Sequence, residues 1–315
     1  MSRAFVFPGQ GAQTIGMGRA LAEAYPSAKA VFDEVDEALG EALSALIWGG
    51  EQDSLTLTEN AQPALMATSL AAVRALAAEG VEIGAASFVA GHSLGEYSAL
   101  AAAGALSVTD TARLLRARGR AMQAAVPVGE GAMAALLGLD FAAAAEVAQE
   151  AAHDQVCQAA NDNDPGQVVV SGHKAAVERA LEIAKAKGAR RAVLLPVSAP
   201  FHCALMQPAA EAMAEALSHV NIDPPAVPLV SNVRAAAISD PTTIRNLLVE
   251  QITGSVRWRE SIEFMGAEGV SEIWEIGAGK ALSGMIRRID KTITTRAIGT
   301  PDEVIAAAVS INKGS

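Results

Sequence analysis

Ser93 lies at the centre of Gly91-His92-Ser93-Leu94-Gly95, with an apolar run before it and an alanine-rich stretch after it. A serine on a sharp strand-to-helix turn needs small neighbours two residues to either side, because larger side chains there collide across the turn. Gly91 and Gly95 meet that need. Such a turn aims the hydroxyl outward at the start of a helix, where free backbone N–H groups and the helix dipole favour developing negative charge. The chemistry it suits is nucleophilic attack on an acyl carbon. Gly-x-Ser-x-Gly also arises by chance in a chain with 27 glycines, so the flanking elements decide its weight. Residues 87–90 read as a short buried strand, and residues 96–103 hold no helix breaker before Gly104.

A serine nucleophile requires a base, and the chain has five histidines. His92 adjoins Ser93, where consecutive side chains on a tight turn diverge, and is expected to support the elbow. His153 and His173 fall in a compact mid-chain stretch and His219 ends a helix beside Ser218, so these three read as structural or solvated. His202 follows a predicted strand at 192–195 and the segment Pro196-Val197-Ser198-Ala199-Pro200-Phe201. The chain returns there from the mid-chain unit to the rest, which places His202 in the cleft between them as the expected base.

Arg118 is informative for a different reason. Ser107-Val108-Thr109-Asp110 resembles a capping box and opens a helix to about residue 125. On a helix turning about 100° per residue, Arg118 falls about 60° from Leu115 and 40° from Leu114, whereas Arg116 and Arg120 each fall about 160° from it. Arg118 thus points inward with the apolar stripe. A buried guanidinium must be paired, either with a structural carboxylate or with an anionic ligand. The loop Phe7-Pro8-Gly9-Gln10-Gly11 leaves the first predicted strand, and an oxyanion hole could take one N–H from Gln10 and one from Leu94. Gly277-Ala278-Gly279-Lys280 also follows a strand but lacks the Walker spacing and the following Ser/Thr, so no nucleotide site is expected there.

These residues need a frame. Strand-like runs at 4–7, 87–90, 228–231 and 272–276 are each followed by a polar or glycine-rich turn, and helices are expected at 17–24, 63–78 and 204–219. The alternation predicts a parallel α/β sheet with its functional loops at the C-terminal strand ends. Between Pro127 and Pro196 the order becomes strand 132–137, helix 141–152, strand 155–160, strand 167–171, helix 174–187, strand 192–195. That β-α-β-β-α-β order is ferredoxin-like. The expected organisation is a large subdomain from residues 1–126 and 197–315, with a small one at 127–196 inserted into it.

With 315 residues and 51% hydrophobic composition the chain can fill a sizeable core. Its first apolar run, residues 4–7, is too short for a signal sequence or membrane span, so a cytoplasmic location and no membrane partner are expected. Cys157 and Cys203 have no metal-ligand spacing, and neither a metal nor a disulfide framework is expected. A net charge of −11 argues against bulk attraction to nucleic acid. An acidic partner would need a local basic patch. Lys185, Lys187, Arg190 and Arg191 form one candidate and Lys280, Arg287 and Arg288 another, although each also reads as solvated helix charge.

Phe7-Pro8-Gly9-Gln10-Gly11, Gln62-Pro63-Ala64, the Ser93 elbow through Tyr97, Arg118-Gly119, Asn161 with Pro165-Gly166-Gln167, and Pro200-Phe201-His202 together resemble the malonyl-CoA:acyl carrier protein transacylases of dissociated bacterial fatty acid synthesis. The resemblance spans nearly the whole chain, and the order and separation of its motifs are specific. It implies an α/β-hydrolase-like core with a ferredoxin-like insert, and an acyltransferase acting through a malonyl-serine intermediate. Ser93 would carry the ester, His202 would be base and acid, and Arg118 would hold the malonyl carboxylate. The backbone carbonyl of Gln251 would orient His202 in place of a triad carboxylate, Gln10 and Leu94 would bind the oxyanion, and Gln62 and Asn161 would line the cleft. Leu94 and Phe201 match the malonyl rather than the methylmalonyl pattern of related polyketide enzymes. Lys187, Arg190 and Arg191 would contact CoA or the carrier. The resemblance implies no cofactor beyond the CoA thioester substrate, the partners malonyl-CoA and acyl carrier protein, and a monomer. A malonyltransferase serving a polyketide pathway, a serine hydrolase and a non-catalytic carrier-docking protein are the alternatives.

Overall fold

A computed structural model describes residues 2–197 and 199–312; Ser198, in the returning segment named above, lies outside the described residues. Among the described residues ten strands form two sheets: β1 Ser2–Phe7, β2 Phe88–Gly91, β3 Gly131–Leu137, β4 Cys157–Asp164, β5 Gln167–His173, β6 Arg191–Leu194, β7 Leu229–Val230, β8 Ala237–Ile238, β9 Val270–Ile276 and β10 Thr294–Ile298. The larger sheet runs β10-β9-β1-β2-β7-β8, parallel throughout except for the antiparallel edge strand β8. Its inner strands are apolar on both faces, as a sheet covered by helices on each side requires. This is the hydrolase-like α/β core.

Register decides what the core can position. Phe7 pairs with Gly91 and Ala90 with Val230, so β1, β2 and β7 end side by side at one edge of the sheet. The Pro8–Gly11 loop, the Ser93 turn and the Ser231-Asn232 segment therefore converge.

The smaller sheet runs β4-β5-β3-β6 and is antiparallel, which is the ferredoxin-like order for a β-α-β-β-α-β unit. The helices Phe141–Ala152 and Lys174–Ala186 pack on one face around Leu136, Val147, Val170 and Val177. The other face, with Met133, Ala135, Val169 and Val193, packs towards the large subdomain. Two departures from the sequence expectation bear on the site. The helix expected from Pro63 starts at Thr58 and runs to Ala78 with Pro63 inside it, which puts Thr58 and Gln62 on one face. Strand β4 extends to Asp164 instead of stopping near Ala160. Asn161-Asp162-Asn163-Asp164 has the composition of a turn, yet each side chain is buried and three are held across the subdomain seam. Asp162 pairs with Arg259 at 2.8 Å, Asp164 with Arg288 at 2.7 Å, and Asn163 meets His92 at 2.8 Å. The Asp162 N–H donates to the Val256 carbonyl and the Val256 N–H to that of Ala160, which joins the two subdomains through backbone as well.

Candidate active site

The elbow follows from local sterics. A side chain at position 91 would run into the Gly95 carbonyl, and one at 95 would meet the Phe7 carbonyl oxygen. Ser93 itself has φ 54°, a left-handed conformation that costs a non-glycine residue about 1–2 kcal/mol. It is held from both sides. The Ser93 N–H donates to Asn232 Oδ1 at 2.8 Å, and Gln251 Nε2 donates to the Ser93 carbonyl at 3.0 Å. Asn232 Nδ2 donates to the Gly91 carbonyl at 2.6 Å, closing the turn onto β2.

His202 enters from the loop that follows β6, also with a left-handed backbone at φ 59°. Its Nε2 lies 2.8 Å from Ser93 Oγ and its Nδ1 lies 2.8 Å from the Gln251 carbonyl oxygen. A carbonyl only accepts, so Nδ1 carries the proton and Nε2 is the free acceptor facing the serine. Burial, reinforced by the Arg118 charge, pushes His202 down to about 3. The imidazole is therefore neutral at physiological pH, and its geometry leaves Nε2 free to accept the serine proton.

Arg118 projects from the helix Val108–Ala124, whose Ser107 cap accepts the Asp110 N–H at 2.9 Å. It is 2% exposed. Nη1 donates to Gln62 Oε1 at 2.7 Å, while Nη2 donates to Gln251 Oε1 at 2.9 Å and to Ser93 Oγ at 3.0 Å. No carboxylate touches it among the described residues. Gly119 allows this approach, because a side chain there would strike the backbone at Glu59. The helical wheel is corrected on one point: Arg116, set about 160° from Arg118, is buried too, paired with Glu41 and Asn60 on the other side of the helix. Arg120 is exposed and pairs with Glu59.

These groups open onto a cleft of about 500 Å³ between the subdomains. Gln10, Gln62, Leu94, Asn161 and Phe201 all line it, together with Met122, Asn163 and Met285, which sequence reasoning did not single out. The backbone N–H groups of Gln10 and Leu94 have no hydrogen-bond partner among the described residues. Gln10 is fixed by its side chain, whose Oε1 accepts the Thr58 hydroxyl at 2.9 Å. His92 Nε2 donates to Asn163 Oδ1 and its ring lies 5.7 Å from that of Trp258, so it braces the seam behind the elbow. His173 accepts the Val156 N–H, and His219 sits at the surface with Glu215.

Lys187, Arg190 and Arg191 are exposed, and none lines the cleft. Lys187 pairs with Glu150 at 2.9 Å. Arg190 packs against Gly138 and near Gly166, and Arg191 shares with Val193 the face of β6 turned towards the large subdomain. Glu275, within β9, accepts the N–H groups of Leu282 and Ser283, so the protein's own carboxylate occupies the N-terminus of the helix Ala281–Ile289 where a phosphate would bind. Among the described residues no His, Cys, Asp and Glu cluster could hold a metal ion, and no helix is long and apolar enough to cross a membrane.

Sequence reasoning missed Asn232 and Glu96. Asn232 carried a readable signal, since Ser231-Asn232 is a polar pair just past a buried strand at the functional edge of the sheet. Glu96 stood in the elbow motif but gave no sign that its carboxylate turns inward.

Comparison with known proteins places the chain. Residues 4–282 match the model of the acyl transferase domain family. The malonyl CoA-acyl carrier protein transacylase of Escherichia coli is 47% identical over 304 residues, covering 96% of this chain and 98% of that protein. The crystal structure of an acyl-carrier-protein-S-malonyltransferase from Bartonella henselae is 57% identical with a TM-score of 0.97, covering 99% and 100% of the two chains. A type II polyketide acyl-carrier protein in complex with its malonyl-transacylase offers a further likeness, at 42% identity and a TM-score of 0.95 over 98% of this chain and 100% of that one. The chain belongs to the acyltransferase family, among the malonyl CoA-acyl carrier protein transacylases.

Proposed function

We propose that this protein transfers the malonyl group of malonyl-CoA to the phosphopantetheine thiol of acyl carrier protein, through a malonyl ester on Ser93, in fatty acid synthesis. His202 Nε2 takes the Ser93 proton as Oγ attacks the thioester carbon. The oxyanion is received by the Gln10 and Leu94 N–H groups, a role for which paired backbone donors are suited. Collapse breaks the C–S bond, and His202 returns its proton to the CoA sulfur. The pantetheine thiol then enters the same cleft and reverses the steps, giving ping-pong kinetics. The Gln251 carbonyl keeps the proton on Nδ1 and stabilises the imidazolium formed in each half-reaction.

The observation that carries this reading is the buried guanidinium of Arg118 donating to the Ser93 hydroxyl at 3.0 Å, with Gln62, Gln251 and the Tyr97 ring as its other neighbours and no carboxylate bonded to it among the described residues. Acylation frees the Nη2 contact and brings the malonyl carboxylate within reach, so the clamp acts on the acyl group itself. Pairing with that carboxylate also offsets the positive charge that disfavours the His202 imidazolium. Phe201 and Leu94 fill the space beside the acyl carbon and oppose a 2-methyl branch.

The reading needs no cofactor beyond the thioester substrate, and it is of a cytoplasmic monomer. Arg190 and Arg191, at the rim of the small sheet, are the proposed contacts for CoA phosphates or the carrier, with Lys187 behind them. The likeness to a polyketide carrier complex keeps a polyketide carrier as the second acceptor to assay. The test is incubation with labelled malonyl-CoA, peptide mapping of the label, and chase with carrier protein or water. Label on Ser93 that moves to the pantetheine thiol supports the proposal. Label elsewhere, or release only to water, overturns it.

A further inference from the structure

Glu96 is the second residue of the helix Gly95–Ala102 and is 1% exposed. A carboxylate so buried needs hydrogen bonds, and none of the steps above uses it. Its Oε2 accepts Gln251 Nε2 in a short hydrogen bond, and its Oε1 accepts the Asn232 N–H at 3.3 Å. These two residues are the ones that grip the Ser93 backbone, Asn232 at its N–H and Gln251 at its carbonyl. Gln251 also presents its carbonyl oxygen to His202 and its side-chain oxygen to Arg118. One carboxylate thus ties together both struts of the nucleophile, the acceptor that sets the base's tautomer, and a partner of the acyl clamp.

We infer that Glu96 is a positioning residue, which acts through Gln251 and Asn232 to hold Ser93 in its left-handed conformation and to aim His202 at it. The inference rests on the acyl-transfer reading above. Among the described residues no carboxylate touches His202, and Glu96 supplies the anchoring that such a group otherwise gives, one residue further out. Glutamine at this position keeps the shape but cannot satisfy both contacts. Its amide oxygen can accept from Gln251 or from Asn232, and whichever is left then faces an N–H donor.

The test compares wild type with Glu96→Gln, and with Glu96→Asp in case the first variant fails to fold, in single-turnover formation of malonyl-Ser93. The rate constant is independent of any inactive fraction, which the amplitude reports. A misplacement of the order of an ångström between reacting groups costs about 10²-fold, so the rate constant is expected to fall by about that factor, with KM for malonyl-CoA little changed. Acetyl-CoA should lose rate in nearly the same proportion, because Ser93 and His202 serve both. A wild-type rate constant with reduced amplitude or melting temperature means a purely structural role and overturns the inference. A loss confined to malonyl-CoA overturns it too, by moving the effect onto Arg118. Failure of the wild-type enzyme to acylate refutes the functional reading instead, so the two are separable.

Discussion

Replacing Arg118 with alanine isolates the acyl clamp from the rest of the machinery. In the free enzyme its guanidinium makes three hydrogen bonds, to Gln62, Gln251 and Ser93, and is 2% exposed. A malonyl carboxylate brought against it is largely desolvated, and removing one partner of such a pair costs about 2–5 kcal/mol. At about 1.4 kcal/mol per factor of ten, that is roughly a 30- to 4,000-fold loss in kcat/KM for malonyl-CoA. Acetyl-CoA has no carboxylate to lose its partner. It also gains slightly from the basicity of His202, because Arg118 is one of the causes that depress it. The variant should therefore invert or nearly erase the malonyl preference. The melting temperature should fall as well, since Gln62 Oε1 and Gln251 Oε1 lose their donor and buried Glu96 loses its nearest positive charge. Stability alone does not discriminate between a clamp and a structural cation; the substrate ratio does. Parallel assays with both thioesters at subsaturating concentration give that ratio directly. An unchanged ratio, with both activities falling together, refutes the clamp.

Ser93→Ala should abolish acyl-enzyme formation with the fold intact, checked by mass spectrometry of the intact protein and by circular dichroism. His202→Ala should lower kcat by about 10²–10⁴-fold, the usual range for a general acid–base group; retention of wild-type rate moves the base elsewhere, with His92 next. Burial pushes the Glu96 carboxyl up to about 7 against the pull of Gln251, Asn232 and Arg118, with Tyr97 of its own helix the other titratable neighbour. If its ionised form is the anchoring one, kcat/KM should rise with pH through about 7, and Glu96→Gln should flatten that limb because His202 titrates far below it. A raised folded value also means that the stability from protonated Glu96 is full below the ordinary carboxyl range and lost as pH rises through about 7, which urea denaturation of both proteins at several pH values measures. Phe201→Ala should admit methylmalonyl-CoA, with selectivity falling by about 1–3 kcal/mol, the typical worth of one methyl in a pocket; unchanged selectivity in competition assays places the discrimination on other residues.

Much of this molecule was legible in the order of its residues because local rules carry it. The glycine pair at 91 and 95, the Ser107 cap, the inward phase of Arg118 and the β-α-β-β-α-β order all follow from sterics and periodicity that a short segment sets for itself. Resemblance extended this to Gln251, whose main-chain contact with His202 no local pattern announces. Tertiary structure decided what depends on distant partners. Asn161–Asp164 became strand because Arg259, Arg288 and His92 satisfy polar side chains that would otherwise stay in a turn. Arg116 was buried because Glu41 and Asn60 meet it from elements far away in sequence. Asn232 reached both Ser93 and Glu96 because parallel register brings the ends of β2 and β7 together. A local pattern can say which side chain faces inward. Only the packed chain supplies the group it faces, and for a buried polar residue that group determines whether it is a strut, an ion pair or a ligand site.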